Sequence, residues 1–365
     1  MARKQQQSSI RGAQSAALTA AQVEPSPREK ALTAECEQLR NRVESLKQET
    51  GQAEVILSAI LDAAQRIEPI GVTYVPPRKT TKVSHPCEAV LVLTDWHVGK
   101  TVSAAEVLGE NDFSLARLRE RLLGSDGLIP RKMQTVDLER SNIRIDTLRV
   151  FCLGDMVNGN LREEDGATNE FSEAEQPIHS GALLAECLAV LATGFSEVLV
   201  DYVVPDNHSR LTKKISHKQP WNSWNYIVAK YAEAKTSRVP NIRWVIHPGE
   251  VAEVEVCGMR YLLRHGHDMT KGTGGFGGLP FYGFERAAGL EARKRMRIPE
   301  KVVFDRLVFG HFHTFGQGPD WRVCPSPSGT DNFDHSQGRY ARPAQLGWLV
   351  HPKRGEMNLN LYELD

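Results

Sequence analysis

The chain has 365 residues, in which 45 Lys and Arg are balanced by 45 Asp and Glu, and 41% of its residues are hydrophobic. These values are typical of globular proteins and exclude collagen-like and wholly disordered chains. A net charge of zero argues against a protein that coats nucleic acid non-specifically, but it does not exclude local basic patches.

The sequence predicts a cytoplasmic protein without a membrane span. It contains no run of about 18 or more apolar residues. The first residues are polar and lack the apolar core of a secretory signal. Six cysteines lie 35 to 70 residues apart with no CxxC pair, which is typical of reduced intracellular thiols.

Three segments precede the predicted enzyme domain. Residues 1–25, rich in Gln, Ala and Ser, are predicted to form a disordered or weakly helical tail. Residues 26–67 open with a capping box and carry five heptads of apolar spacing, which predicts a coiled-coil helix. The flanking charges fit a parallel homo-oligomer only in part, so a helix folded back on its own domain stays an alternative. Residues 68–86 contain four prolines and are predicted to be a linker or an extended arm.

Residues 87–365 alternate short apolar runs with amphipathic stretches. This order predicts a layered α/β domain. The predicted strands are 89–94, 148–153, 198–204, 261–264 and 302–309, and the predicted helices are 180–193, 221–234 and 284–296. The residues after about 325 are predicted to form a loop and closing strands.

Each of the five predicted strands ends in residues of the types that bind metals. These clusters are Asp95-Trp96-His97, Gly154-Asp155, Asp206-Asn207-His208, His265-Gly266-His267 and Gly310-His311-Phe312-His313. Sites in α/β sheets gather at strand ends, so we expect these side chains to meet. Mixed carboxylate and imidazole ligands suit Mn, Fe or Zn better than Ca²⁺.

The five motifs, in this order, resemble those of the calcineurin-like metallophosphoesterase superfamily over about residues 90–314. The resemblance implies a two-layered β sandwich flanked by helices and two divalent transition-metal ions, for which we expect Mn²⁺, with Fe or Zn as alternatives. It also implies a role for each motif residue. By position, the first ion is held by Asp95, His97, Asp155 and His313, and the second by Asp155, Asn207, His265 and His311.

The resemblance further implies that His208 is the catalytic histidine, which contacts the phosphate or protonates the leaving oxygen. A bridging water, activated by the two ions, would attack in line. The chain departs from the family pattern at Asp206, where Gly is usual, and at Ser209, where an acidic residue is usual. All ligand positions are kept, so we expect an active enzyme. The departures concern the loop geometry and the orientation of His208.

Several features bear on the substrate. The Asp-Arg pair of protein Ser/Thr phosphatases is replaced by Val157-Asn158-Gly159-Asn160, which argues against that branch. Basic residues follow His208, with Trp221 and Trp224 soon after, as a phosphodiester strand with unstacked bases would require. The alternative is a solvated loop followed by a helix with buried tryptophans. The candidate substrate-binding residues are Arg210, Lys213, Lys214, His267 and Lys271. Lys271 opens a glycine-rich segment, and for His267 the favoured alternative is an ordinary polar residue at the rim.

Five cations at 286–297 favour a nucleic-acid-binding surface, although such a run is usually a solvated helix face. The segment from Asn207 to Gly283 is also similar to metallophosphoesterases encoded by phages and prophages. We therefore expect a DNA nuclease. The alternatives are a phosphoesterase of small molecules or cyclic nucleotides and, less favoured, an inactive scaffold built on the coiled coil.

Overall fold

The structure, a computed structural model, describes residues 68–71, 86–161, 163–212, 221–269, 279–298, 303–336, 338 and 340–365. The predicted tail, the predicted coiled coil and most of the predicted linker lie outside these residues. Lys213, Lys214 and Lys271 lie outside them as well. Among the helices of this described part, none is long and apolar enough to cross a membrane.

Eleven strands in the described residues form two sheets. The strands are β1 (Cys87–Leu93), β2 (Ile145–Cys152), β3 (Glu197–Val203), β4 (Ile242–His247), β5 (Ala252–Val256), β6 (Met259–Leu263), β7 (Arg306–Phe309), β8 (Gly316–Gln317), β9 (Trp321–Val323), β10 (Ala344–His351) and β11 (Gly355–Glu363). The first sheet has the order β11-β10-β1-β2-β3-β4, and the second has the order β5-β6-β7-β9-β8. In the first sheet β1 to β4 are parallel, whereas β10 is antiparallel to both β1 and β11.

The helices pack outside the sheets. They are α1 (Leu115–Leu123), α2 (Leu128–Glu139), α3 (Glu163–Thr168), α4 (Gln176–Ala192), α5 (Trp224–Lys235), α6 (Phe281–Arg295) and α7 (Asn332–Ser336). Side-chain caps define two of the starts. The Ser114 hydroxyl accepts the N–H of Arg117 at 3.2 Å, and the Ser223 hydroxyl accepts the N–H of Asn225 at 3.2 Å.

The strand β1 shows why the apolar runs are continuous instead of alternating. Ala89, Leu91 and Leu93 pack in the core shared with the helices, whereas Val90 and Val92 pack in the core shared with the second sheet. Both faces of the strand are therefore covered, and both require apolar side chains.

The two sheets meet face to face through aromatic side chains. The Phe151 ring lies 5.7 Å from the Tyr261 ring and 6.2 Å from the Trp348 ring. The indole N–H of Trp348 donates to the Tyr261 hydroxyl at 3.2 Å, so the buried polar atoms of this contact are paired. The predicted class, a mixed α/β fold with two packed sheets and flanking helices, is confirmed for the described residues.

The main difference from the predicted elements lies in the last inner strand. The predicted strand 302–309 is shorter, since β7 begins at Arg306. Just before it, the Asp305 carboxylate accepts the N–H of Arg260 at 2.8 Å, while the N–H of Asp305 donates to the Arg260 carbonyl at 2.8 Å. The Asp305 side chain therefore accepts the backbone N–H of Arg260, which a backbone carbonyl would accept in a regular sheet.

At the start of the predicted linker, Ile70 is half-buried and packs against the helix-side core. Its N–H donates to the Lys235 carbonyl at 2.7 Å, at the end of α5.

Candidate metal centre

The segments that follow β1, β2, β3, β6 and β7 meet at one place in the fold. We call these segments, residues 95–97, 154–155, 206–208, 265–267 and 310–313, the ligand loops. They bring together three groups of side chains whose ligand atoms lie within 4.8 Å of one another: Asp95, His97 and His313; His97, Asp155 and His208; and Asp155, His265 and His311. Asp155 therefore lies between the first and the last group.

The first group is compact, and two of its three side chains, Asp95 and His97, are buried. His97 Nε2 lies 2.9 Å from His313 Nε2, and Asp95 Oδ1 lies 4.0 Å from the former and 3.6 Å from the latter. Ligand atoms around one ion, with bonds of about 2.0–2.2 Å, lie at comparable separations. The three side chains thus have the spacing that a single small cation requires.

The third group, Asp155, His265 and His311, is centred on His265. Its Nε2 lies 3.0 Å from Asp155 Oδ2 and 2.9 Å from Asn207 Oδ1. The His311 ring is 5.2 Å from the His265 ring. All seven side chains predicted as metal ligands, and His208, are therefore placed in one cluster; their binding of metal stays a prediction.

The backbone of the ligand loops is strained. Eight described non-glycine residues have a positive φ, and five of them belong to the cluster: Asp95 (56°), His97 (46°), Asp155 (48°), His311 (70°) and His313 (56°). Such conformations cost about 1–3 kcal/mol each and persist only where the surrounding structure holds them. Their concentration at one cluster marks it as a functional site.

Two glycines allow the loops to approach one another. A Cβ atom on Gly310 would lie 2.2 Å from Asp95 Oδ2, and one on Gly154 would lie 2.8 Å from Asp206 Cβ. Gly154 also has a φ of 99°. These glycines therefore stand where the backbone passes close to the site.

The hydrogen bonds of His265 fix its protonation in the metal-free site. Its Nδ1 lies 2.9 Å from the Leu153 carbonyl, which can only accept, and its Nε2 faces the Asp155 carboxylate and the Asn207 amide oxygen. Both ring nitrogens therefore donate. Burial lowers the pKa of His265, but Asp155, Asp95 and Asp206 outweigh it and raise the pKa to about 10.

Among the other ligand candidates, the pKa values of His97 and His313 are lowered, whereas those of the two carboxylates shift in opposite directions. Burial, then the neighbouring imidazoles of His208 and His313, hold the pKa of His97 well below its usual range, and burial lowers the pKa of His313 to about 3. Burial raises the pKa of Asp95 to about 7 despite the nearby His265. Asp155 is different: His265 and His208 overcome its burial and keep its pKa well below the usual range.

Asp206 and Ser209, the two departures from the family pattern, act together. Asp206 Oδ2 accepts the N–H of Asp155 at 2.9 Å, and its Oδ1 accepts the N–H of Ser209 at 2.9 Å and the Ser209 hydroxyl at 2.5 Å. Burial and the neighbouring Asp155 raise the pKa of Asp206 to about 6. Asp206 therefore ties the loop after β3 to the loop after β2, and the loop geometry is well defined.

His208 is oriented by the backbone. Its Nδ1 lies 2.8 Å from the Asn158 carbonyl, and its own N–H donates to Asp155 Oδ1 at 3.1 Å. Because Nδ1–H donates a hydrogen bond to this carbonyl, the second ring nitrogen, Nε2, is the one available to a substrate. The Asn158 carbonyl thus orients the imidazole ring of His208, the role that an acidic side chain has in the pattern of protein Ser/Thr phosphatases.

Sequence reasoning missed the residues that hold Asp95. The Thr94 hydroxyl donates to Asp95 Oδ2 at 2.8 Å, and the Ser326 hydroxyl donates to the Asp95 carbonyl at 2.7 Å. Gln345, on β10, accepts the N–H of Thr94 at 3.0 Å. Thr94 adjoins a motif and was open to inference, but Ser326 and Gln345 carry no local signal.

A second missed group borders the first set of ligands. Lys100 pairs with Asp331, and both side chains are largely buried. Asp334 Oδ2 lies 3.9 Å from His313 Nδ1, on the side of the ring away from the cluster. Carboxylates in this position orient metal-binding imidazoles.

The predicted substrate-binding residues are placed only in part. His267 is half-buried beside the cluster, with its ring 5.6 Å from the His265 ring. Burial, then the charge of His265, lower the pKa of His267 to about 4. The Arg210 Nε donates to the Asn207 carbonyl at 3.1 Å. Substrate binding by either residue stays a prediction, and Lys213, Lys214 and Lys271 are not described.

Of the two tryptophans near these residues, Trp224 is buried and Trp221 is 43% exposed, 4.8 Å from the Tyr226 ring. The alternative prediction of buried tryptophans is thus correct for Trp224.

The donor set fits divalent transition metals. Asp95 and Asp155 are buried, and among the described residues neither has an ion pair with Lys or Arg. Buried carboxylates without such partners are costly, and imidazole nitrogens beside them complete a ligand set typical of Mn, Fe or Zn.

Comparison with known proteins gives little more. No family model and no curated protein matches the chain. Among solved structures, Vps29 complexed with Zn²⁺ from Entamoeba histolytica is similar at 14% identity and a TM-score of 0.29, over 76% of this chain and 99% of that chain. A conserved uncharacterized protein from Streptococcus pneumoniae, described as a predicted phosphoesterase, is similar at 12% identity and a TM-score of 0.25, over 73% of this chain and 85% of that chain. Similarities this low support no statement about activity.

Proposed function

We propose that the chain is a metal-dependent phosphoesterase that hydrolyses phosphodiester bonds and that its substrate is DNA. The observation that carries the proposal is the position of Asp155, which belongs to two of the three groups, one with His97 and His208 and the other with His265 and His311. A carboxylate in this position can hold two cations close together, which is the arrangement used for in-line attack on phosphate esters.

The residues of each group have separate tasks. Asp95, His97 and His313 would hold one cation with Asp155, and Asn207, His265 and His311 would hold the other. When bound, two such cations neutralise phosphate oxygens and lower the pKa of a water molecule placed between them. The preferred ion in this proposal is Mn²⁺.

His208 would supply the proton for the leaving oxygen. Its Nδ1 is held by the Asn158 carbonyl at 2.8 Å, and its ring lies 4.6 Å from the His97 ring. The ring is therefore fixed at the edge of the ligand cluster with Nε2 available. A protonated imidazole can donate from Nε2 to a departing alkoxide near neutral pH.

The first experiment tests the metal site. The purified full chain, loaded with Mn²⁺, should contain about two ions and turn over bis-p-nitrophenyl phosphate. Asp155→Asn should reduce kcat by about a thousandfold or more, because it removes the carboxylate that both proposed cations would share. Asp137→Asn, at an exposed carboxylate on α2, is the matched control. Retained turnover in Asp155→Asn would refute the role of Asp155.

The second experiment tests the substrate. The Mn²⁺-loaded protein is incubated with labelled single-stranded, duplex and circular DNA, beside RNA and cyclic nucleotides. Cleavage of DNA with kcat/KM well above that for cyclic nucleotides is expected. Hydrolysis restricted to cyclic nucleotides would keep the phosphoesterase and reject the nuclease.

The third experiment tests the proton donor. His208→Asn should slow cleavage of DNA, whose alkoxide leaving group needs a proton, much more than cleavage of a p-nitrophenyl ester, whose leaving group does not. The expected loss on DNA is about 10²–10⁴-fold. Equal losses on both substrates would assign His208 to phosphate binding instead of proton transfer.

A further inference from the structure

A second concave site lies on the outer face of the second sheet. It is a cleft of about 690 Å³ between α6 and the segment that follows β6. We call it the cationic cleft. Its charged lining consists of five cations, Arg264, Arg286, Arg293, Lys294 and Arg297, and two carboxylates, Asp268 and Glu291.

Each of the two carboxylates already forms an ion pair with a neighbouring cation. Asp268 pairs with Arg264, and Glu291 pairs with Lys294 at 3.1 Å and with Arg295. The remaining three, Arg286, Arg293 and Arg297, are exposed and have no ion-pair partner among the described residues. The cleft therefore presents uncompensated positive charge to solvent.

A buried cation adds to this charge. Arg264 is only 7% exposed, and its guanidinium pairs with Asp268 at the surface. Arg264 forms part of the wall of the cleft.

The cations on α6 are aligned with exposed apolar side chains. Tyr282, Arg286, Leu290 and Arg293 recur at spacings of four, four and three residues, which places them on one face of the helix. Tyr282 is 77% exposed, and the adjacent Phe281 is 54% exposed. Exposed rings beside arginines are the combination that binds a strand with unstacked bases.

The cleft is joined to the ligand loops from two sides. Arg264 directly precedes His265. On the opposite face of α6, the Phe284 ring lies 4.7 Å from the ring of Phe312, which stands between His311 and His313 and lies 5.1 Å from the His311 ring. The cleft and the cluster therefore adjoin the same two segments, α6 and the loop after β6, on different sides of them.

We infer that the cationic cleft binds single-stranded DNA beside the scissile phosphodiester. Arg286, Arg293 and Arg297 contact phosphates that are not cleaved, and Tyr282 stacks on an unpaired base. The inference rests on the proposed function for its biological meaning, because the cleft would deliver a strand to the ligand cluster. A small phosphate ester is too short to use both sites.

The experiment measures binding and cleavage separately in the full chain. Arg286→Gln, Arg293→Gln and Arg297→Gln are combined in one variant. The control combines Arg117→Gln, Arg144→Gln and Arg243→Gln, of which Arg144 and Arg243 are exposed and Arg117 is half-buried. Binding of a fluorescent oligothymidylate is followed by anisotropy in EDTA at several salt concentrations, so that no cleavage occurs.

The cleft variant should bind at least about tenfold more weakly than the wild type, and the slope of log K against log salt should fall by about two, as expected for three lost phosphate contacts. Its kcat/KM for the oligonucleotide should fall about tenfold relative to its kcat/KM for bis-p-nitrophenyl phosphate. Tyr282→Ala should weaken binding of the single strand about tenfold and binding of a duplex much less.

Three outcomes would overturn the inference: an unchanged salt slope in the cleft variant, an equal loss in the control variant, or equal competition by polyglutamate, which would make the cleft a general site for acidic chains. Failure of the proposed function is separate. A wild type that binds the oligonucleotide through these arginines but hydrolyses no phosphate ester would keep the cleft and reject the phosphoesterase.

Discussion

The ligand loops and the outer face of α6 both collect charged side chains, but in opposite ways. In the ligand loops the two carboxylates Asp95 and Asp155 are buried, five non-glycine residues have a positive φ, and neighbouring groups hold both carboxylates in place. On α6 the helix is regular, and arginines on its outer face are exposed without ion pairs among the described residues.

The difference separates two kinds of task. Chemistry on a phosphate needs groups held within fractions of an ångström, which the strained and buried loops provide. Holding a polymer needs positive charge that stays hydrated until the ligand arrives, which an exposed helix face provides. Changes in the two regions should therefore differ in size and kind.

The largest effect is expected at Gly310. A Cβ there would lie 2.2 Å from Asp95 Oδ2 and 2.5 Å from Thr94 Oγ1, so Gly310→Ala must displace the Asp95 carboxylate. We expect metal affinity to fall by about 10–100-fold or more, with activity lost in proportion. Metal titration followed by calorimetry measures this. Wild-type affinity in the variant would show that the loops are more adaptable than their backbone suggests.

The next effect is the pH dependence of metal binding. The pKa of His265 is raised to about 10 by Asp155, Asp95 and Asp206 against its burial, and burial raises the pKa of Asp95 to about 7. A metal must displace these protons, so affinity should rise with pH by about tenfold per unit between pH 7 and 10 and more steeply below pH 7. Calorimetry in buffers of different ionisation enthalpy should detect close to one proton released at pH 8. Release of none would contradict the assigned charge of His265.

A moderate effect is expected at Asp206. Asp206→Ala leaves the buried N–H groups of Asp155 and Ser209 without their acceptor, which should lower the free energy of unfolding by about 1–3 kcal/mol. Denaturant unfolding of the metal-free protein measures it. Ser209→Ala is the control, since it keeps the bond to the Asp155 N–H. An equal loss in both variants would place the stabilisation in the serine instead.

The smallest effect is expected on α6. A Cβ on Gly289 would meet no atom within 4 Å, and the helix has no positive φ there. Gly289→Ala should raise the free energy of unfolding by about 0.5–1 kcal/mol and leave turnover of bis-p-nitrophenyl phosphate unchanged. Thermal unfolding of Gly289→Ala, measured together with Gly310→Ala, compares the stability of the two variants. A destabilised Gly289→Ala would mean that this face of α6 is covered.

Sequence reasoning predicted the candidate site better than its surroundings. Asp95, His97, Asp155, His311 and His313 follow apolar runs, and runs covered on both faces are recognisable as inner strands. Because the carboxyl ends of such strands meet, the meeting of these side chains was predictable. The short start of β7 was not, because Asp305 replaces a ladder bond with its side chain.

The residues that hold the ligand loops in place could not be predicted from the sequence, for a different reason. Gln345 reaches Thr94 only because β10 is antiparallel to β1, a pairing between segments about 250 residues apart. The departure at Asp206 was visible in the sequence, but its effect was not. Its bonds to Asp155 and Ser209 define the loop, and the residue type at this position did not specify those partners.

By itself the sequence determined the alternation of elements, the apolar runs and the kinds of ligand at their ends, because these depend on neighbours along the chain. Only the tertiary structure decided the order of the strands, the protonation of His265, the role of Asp206 and the existence of the cationic cleft. Each of these depends on burial and on contacts between distant segments, and neither the spacing nor the type of a residue specifies them.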